Sequence, residues 1–424
     1  MKHRQTVAGT ILLGGVFLAV LGLWGSVGGL VLGLALVALE AGLQIAVRRV
    51  LVPRGMATLA DLPVITPQLV DKFSEHGYDP ELGWVRKANT SKIDYGKPYA
   101  IDGQGSRVNP GDGDQELLIS SYGDSFAFCR ECHDHETWQY FLARTTGGRV
   151  QNFGVGNYGF DQSLLRLKRE YPGNRAKIVI IAVVPQTIAR ILSVWKHFNE
   201  FGNVLAFKPS FFLQNDRLVL RPNYINSLDR FCQLSSFFDK IKEEDFFYAH
   251  RFVGESFQFP FIFRAIVNWK RMRLVLWRFL RFAVARLGMR SLTLALDKRI
   301  VLAADSEGAC QAAWLYENDL AQALFAALVD EFKRFADTEG FSPVVMFLPM
   351  RDDLLLIKQT RHFYKNFIAR ITNGMNVLDL APEFLAHEDP GLFFHSSHYN
   401  VEGNRLVAHS LAAYLQDQFF LEKT

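Results

Sequence analysis

The sequence predicts an α/β protein, a parallel sheet covered by helices on both faces, preceded by a helical hairpin in a membrane. Three observations carry this expectation. Residues 177–184, KIVIIAVV, form an unbroken β-branched run without polar alternation, the pattern of a strand buried on both faces. Strand-like and helix-like segments alternate along the chain on both sides of that run, as parallel sheets require. Between Thr6 and Val47 the only ionisable side chain is Glu40.

That apolar stretch would make a helix of about 60 Å, twice a bilayer core of about 30 Å. A reversal at Gly25–Gly29 between spans near Val7–Trp24 and Leu30–Val47 resolves the excess, since glycine supplies the backbone freedom of a tight turn. A cleaved signal peptide has a shorter apolar region and a polar sequel. Lys2, His3 and Arg4 precede the hairpin and Arg48, Arg49 and Arg54 follow it, so the positive-inside rule puts both ends, and the large domain, in the cytoplasm. The alternative has one true span, the second segment lying in the interface and the large domain facing outward. Glu40 is then either a buried contact between helices or a residue near the membrane surface.

Residues 51–115 are rich in Pro, Gly, Asp and Asn and read as an extended connector. From residue 116 the pattern gives a strand at Leu117–Tyr122, a helix at Thr137–Arg144, a strand at Arg149–Phe153, a helix at Gln162–Tyr171 and the strand at Lys177–Val184. It resumes with a helix over Asn318–Asp337, a strand at Pro343–Leu348, a helix across Arg361–Arg370, a strand at Asn376–Leu380 and a last helix over Val401–Phe420. The expected organisation is thus an anchor at 1–50, a connector at 51–115 and a main domain at 116–424 with an insertion at about 195–312.

The net charge of +4 is local: Arg264–Arg299 holds ten Lys or Arg against one acid, which argues against a general nucleic-acid binder. Four cysteines are too few for a disulfide scaffold in 424 residues and fit a reducing compartment.

In open parallel sheets, reacting groups gather at the carboxyl ends of the strands. Ser125, in Gly123-Asp124-Ser125, follows the first strand directly. A serine nucleophile needs a base, and His398 in HSSHYNVEGN stands before the last helix.

With these residues the chain resembles the SGNH, or GDSL-type, hydrolases. Gly123-Asp124-Ser125 is similar to their first block, NFGVGNYGFDQSLLRLKRE to the second, IAVVPQT to the third and HSSHYNVEGNRLVA to the fifth. The stretch YDPELGWVRKANT, at 78–90, is similar to the leader of membrane-tethered members. The resemblance spans about residues 116–424 apart from the insertion. It implies a three-layer α/β/α fold with a doubly wound, flavodoxin-like sheet. It also implies Ser125 as nucleophile, His398 as general base, and an oxyanion hole from the N–H of Ser125, a backbone donor at Gly156 or Asn157, and the Gln186 side chain.

Two departures follow. The third block usually ends in Asn-Asp, and here Gln186-Thr187 stands there. The fifth usually reads Asp-x-x-His, and here it is His395-Ser-Ser-His398, so the acid that orients the base is missing. Either another acid, with Asp389 a candidate by proximity, takes that role, or Ser125 and His398 work as a dyad. His395 is a replacement orienter, a substrate contact or a neutral surface histidine, the last being favoured. Gln186 is either an oxyanion donor or a satisfied buried amide, and Asp124 reads as a structural residue of the turn.

The segment Cys129-Arg-Glu-Cys132-His133 matches the c-type haem attachment pattern, and Cys129, Cys132, His133 and His135 have spacing that permits zinc. Lying in the turn out of the nucleophile site, with no second ligand pair, they read as pocket-lining or packing residues, so neither a metal nor a cofactor is expected.

Residues 268–288, NWKRMRLVLWRFLRFAVARLG, put Trp269, Met272, Leu276, Phe279, Leu280, Ala283, Val284 and Leu287 on one helical face. Lys270, Arg271, Arg278, Arg281 and Arg286 take the other, and Arg273 falls among the apolar side chains. Such a helix suits either an anionic membrane surface or a core contact with a solvated basic rim.

The expectation is therefore a multi-pass, membrane-anchored serine esterase or O-acyltransferase that binds membrane lipid, works without nucleic acid, and forms an acyl-enzyme on Ser125 from an ester of a lipid or saccharide. Hydrolysis and transfer share this machinery, and oligomeric state is left open. The other reading is a catalytically weak relative that binds glycan or lipid in envelope assembly.

Overall fold

A computed structural model describes residues 27–54, 56–59, 62–110 and 115–419. The core is one sheet of five parallel strands: β1 Leu117–Gly123, β2 Arg149–Asn152, β3 Ile178–Val183, β4 Ser342–Phe347 and β5 Asn376–Asp379. Their spatial order is β2-β1-β3-β4-β5, with β3 paired to β4 over its whole length and to β1 from Ile178 to Ala182. Every residue of β3 is buried, which is why its sequence shows no polar alternation.

The helices of the chain follow from capping and periodicity. They begin with α1, the apolar helix Val27–Ala46 discussed below, then α2 Ser125–Phe128, α3 Trp138–Thr146, α4 Phe160–Glu170 and α5 Thr187–Arg190. Thr137 caps α3 through a hydrogen bond from Tyr140 N. Further along come α6 Phe261–Val267, α7 Trp269–Arg286, α8 Arg290–Leu315, α9 Asp319–Glu339, α10 Arg351–Gln359, α11 Lys365–Thr372 and α12 Val401–Phe419. Asn318 caps α9, Gly340 ends it at a φ of 81°, and Ala321, Leu324, Phe325, Leu328, Val329, Phe332 and Ala336 form its buried stripe.

Strand order and handedness place these helices. The crossover from β1 to β2 runs opposite to those from β2 to β3, β3 to β4 and β4 to β5. Right-handed crossovers therefore put α3 on one face and α4, α9 and α11 on the other. The contacts agree, since α3 packs on α12 whereas α9 packs on α4 and α11. Direction reverses between β1 and β3, which makes the carboxyl ends of those strands the switch point of the sheet.

The chain forms two compact units that are not consecutive in sequence. One holds residues 65–196, 205–234 and 301–424 and contains the sheet; the other holds residues up to 64, 197–204 and 235–300. Residues 65–110, expected as an extended connector, contain instead the helix Pro67–His76, capped by Thr66, and the hairpin Thr90–Asp94 with Lys97–Ile101. The turn chemistry that suggested a connector makes short caps and hairpins here. The insertion is likewise divided, with its hairpin Ser210–Gln214 and Arg217–Arg221 belonging to the sheet unit.

In the other unit, Leu30–Leu51 is long and apolar enough to cross a membrane. The proposed first span, Val7–Trp24, lies outside the described residues. The expected turn at Gly25–Gly29 is corrected in part, because Val27, Gly28 and Gly29 are already helical. Glycine costs a helix only about 1 kcal/mol, which an apolar run on its C-terminal side offsets. Glu40 is buried and accepts hydrogen bonds from the Phe261 and Ile262 N–H groups at the start of α6.

Candidate active site

Gly123 closes β1 where its neighbour comes too near for any side chain: a Cβ there would stand 1.9 Å from the Ala182 carbonyl oxygen of β3. Asp124 follows and organises the turn. One carboxylate oxygen accepts from Phe126 N at 2.8 Å, and the other accepts from Val184 N at 3.3 Å and Arg190 Nη1 at 2.7 Å. Asp124 is fully buried, so this pairing holds the Ser125 turn to the end of β3 and the last residue of α5.

Ser125 begins α2 at the switch point, and its Oγ lies 2.9 Å from His398 Nε2. His398 comes from the loop before α12, and Phe126 packs against its ring at 4.8 Å between centroids. The other imidazole nitrogen, Nδ1, lies 3.1 Å from Glu131 Oε1. The Glu131 oxygens also accept from Ser396 Oγ at 3.1 and 3.2 Å. Burial raises the Glu131 carboxyl, and the hydrogen bonds from His398 and Ser396 with the His398 charge outweigh it, leaving it below the ordinary value. A carboxylate accepts only, so Nδ1 carries the hydrogen and Nε2 is free to accept from the Ser125 hydroxyl.

Sequence reasoning missed Glu131. It looked for an acid near His398 in sequence, where Asp389 stood, and that expectation is corrected. Asp389 is exposed and caps the turn Pro390–Phe393 by accepting from Gly391 N at 2.8 Å. The His395 side chain is exposed, and its backbone N–H donates to the His398 carbonyl. Chain reversal within the loop brings the acid from the nucleophile's own turn instead.

That reversal depends on local backbone. Cys129 and Glu131 both take left-handed conformations, at φ of 60° and 66°. The Phe128, Cys129 and Cys132 carbonyls then converge on one buried guanidinium, that of Arg107, at 2.6 to 2.8 Å. Arg107 is anchored in turn by Asp134 Oδ1 at 2.8 Å, and Arg130 forms a two-pronged pair with Asp94. The left-handed pair and a distant Arg were the only signals in the sequence, and neither is recognisable before folding.

Of the remaining predicted residues, Gly156 lies beside the serine. Asn152 and Gly154 make the expected turn, with Asn152 Oδ1 accepting from Gly154 N at 2.9 Å. It leads to Gly156, where a Cβ would lie 4.0 Å from Ser125 Cβ. Asn157 is left-handed at φ of 68°. Trp84, from the leader-like stretch, donates Nε1 to the Gly156 carbonyl at 3.0 Å and so fixes the peptide that carries the Asn157 N–H. Gln186 opens the turn after β3. Its Nε2 is buried without a hydrogen-bond partner, and it lies where a Cβ on Gly308 of α8 would approach to 2.5 Å. It is therefore not the satisfied buried amide that sequence left as an alternative.

The cysteines are turned apart. Cys129 Sγ donates to Gln139 Oε1 at 3.3 Å, while Cys132 Sγ donates to the Tyr399 carbonyl and receives Asn404 Nδ2. Burial pushes both thiols up, Cys132 to about 11. His133 and His135 stack on each other. Among the described residues no group of three His, Cys, Asp or Glu is arranged to hold a metal.

No protein-family profile matches the chain, and no curated protein does. Among solved structures, a G-D-S-L family protein from Desulfitobacterium hafniense DCB-2 is similar at 12% identity, covering 71% of this chain and 100% of that one, with a TM-score of 0.31.

Proposed function

We propose that the chain is a membrane-associated serine hydrolase or acyltransferase that cleaves an ester through an acyl-enzyme on Ser125. The observation that carries this reading is one imidazole held between a hydroxyl at 2.9 Å and a carboxylate at 3.1 Å. In this reading His398 Nε2 takes the Ser125 proton as Oγ attacks the ester carbonyl, and Glu131 stabilises the imidazolium. The Ser125 N–H, a donor from Gly156–Asn157 and the unpartnered Gln186 amide receive the developing oxyanion. The imidazolium then protonates the departing alkoxide. Water or a second alcohol, deprotonated by the same nitrogen, releases the acyl group.

The absent fifth-block acid and the Gln186 exchange supported a non-catalytic binder; the Glu131–His398 contact speaks against the first of these. A lipid or saccharide ester near a bilayer is the substrate class that the apolar helix Leu30–Leu51 favours. The test is labelling of the full-length protein by a fluorophosphonate. Labelling that Ser125→Ala abolishes and His398→Ala slows supports the reading. A folded wild-type protein that takes no label under any condition sinks it.

A further inference from the structure

We infer that α6 and α7 form a surface that lies on an anionic phospholipid bilayer, clamped by Glu40 to the helix able to cross it. The carrying observation is the inverted burial of α7. Trp269, Leu276, Leu280 and Leu287, spaced to share one helical face, are 60, 47, 47 and 74% exposed. Leu274 and Val275, on the opposite side, are buried, and of the predicted apolar face Val284, at its edge, is buried too. A helix of a water-facing protein does the reverse, since its apolar stripe is the part removed from solvent. An outward apolar stripe of this length calls for a nonaqueous neighbour.

Continuity with the candidate span says what that neighbour is. Val275 packs in one cluster with Val47 at the end of α1, Ala57, Phe257 and Phe261. The Glu40 carboxylate takes both N–H groups that open α6, so this short helix is tied to the side of α1. On α6 itself, Phe263, Ile266 and Val267 point outward at 54, 69 and 58% exposure. At the basic end of α1, the Arg54 guanidinium lies over the Phe282 ring of α7 at 5.4 Å. The exposed apolar faces of α1, α6 and α7 therefore belong to one unit, with α6 beside the apolar part of α1 and α7 reaching its basic end.

Charge identifies the headgroups. Arg264–Arg299 contains one acid, Asp297, and that carboxylate is engaged by Arg281. Arg273 stands within the outward apolar stripe, its guanidinium over the Trp277 ring, where a long stem in hydrocarbon can lift its charge to a phosphate. Aromatic and aliphatic side chains would lie at the level of the upper acyl chains, with the arginines among anionic headgroups.

The test uses full-length protein in lipid nanodiscs with Cys232→Ser and Cys310→Ser, which removes the two exposed thiols. A bimane label is placed at Leu280→Cys or, as an aqueous reference, at Asp216→Cys in the exposed turn of the hairpin. Expected is that the Leu280 label is quenched several-fold more than the Asp216 label by doxyl lipid, and is shielded from aqueous iodide. Both effects should be larger in phosphatidylglycerol-containing discs than in phosphatidylcholine alone. A Leu280 label that behaves like the Asp216 label overturns the proposal. Equal quenching in both lipids overturns its anionic part, and a Leu280–Leu280 crosslink without lipid quenching assigns the face to a second copy instead.

Discussion

Glu131 and His398, 267 positions apart, meet at 3.1 Å, and the carboxylate reaches the imidazole from the turn that also carries Ser125. Ser125 and Glu131 are thus fixed relative to each other by a few residues of backbone, and only His398 arrives from elsewhere in the chain. The arrangement makes the Arg107-held loop the critical piece of local structure.

If Glu131 sets the tautomer of His398, Glu131→Gln should slow fluorophosphonate labelling and any ester turnover by about 10² to 10⁴, because an amide can hold the wrong tautomer. Asp389→Asn and His395→Ala should stay within about threefold of the parent, being exposed and turned to other partners. Equal losses in all three variants would count against the assignment.

The depressed Glu131 carboxyl has a stability consequence whose sign is fixed. A group with a lowered folded pKa contributes stability above its unfolded value, about 4.3 for Glu, and loses it as pH falls through the lower folded value. Melting temperatures of the parent and Glu131→Gln should therefore differ at neutral pH and converge below about pH 4. A gap that persists in acid would show that the carboxylate charge is not its source.

Gln186 and Gly308 provide a steric test of the proposed third oxyanion donor. Gln186→Ala should lower turnover by about 10² to 10³, the usual effect of deleting one such donor. Gly308→Ala, whose Cβ would come within 2.5 Å of Gln186 Nε2, should displace the amide and lower turnover in the same direction with less effect on KM. Unchanged turnover in both variants would remove Gln186 from the site.

Thiol chemistry should separate the four cysteines. Cys232 and Cys310 are exposed and should react with a maleimide within minutes at neutral pH. Cys129 and Cys132, buried, hydrogen-bonded and raised in pKa, should react only after denaturation. Mass spectrometry of the labelled protein distinguishes the sites, and native labelling of Cys132 would contradict the packing around Glu131.

The fold was readable where a segment's own side chains dictate its environment. The all-apolar run of β3, the buried stripe of α9 and the last helix lie close to their expected bounds. Boundaries shifted where caps decide them, and α10, Arg351–Gln359, was missed because no long apolar period announces it. In the unit that contains α1, periodicity gave the two faces of α7 but not which faced outward, since that depends on the partners of Leu274 and Val275.

By itself, the sequence determined a parallel α/β core, a serine at the end of its first strand, a histidine before its last helix, and a long apolar helix near the N-terminus. Those features follow from local propensity and hydrophobic period, which act within a few turns of chain. Tertiary structure alone decided that Glu131, rather than Asp389 or His395, backs the histidine, and that Gln186 keeps an unpartnered donor. The physical reason is that hydrogen bonds between residues hundreds of positions apart depend on where a left-handed turn and a buried Arg107 aim the backbone, and no pattern of residue types along the chain records that direction.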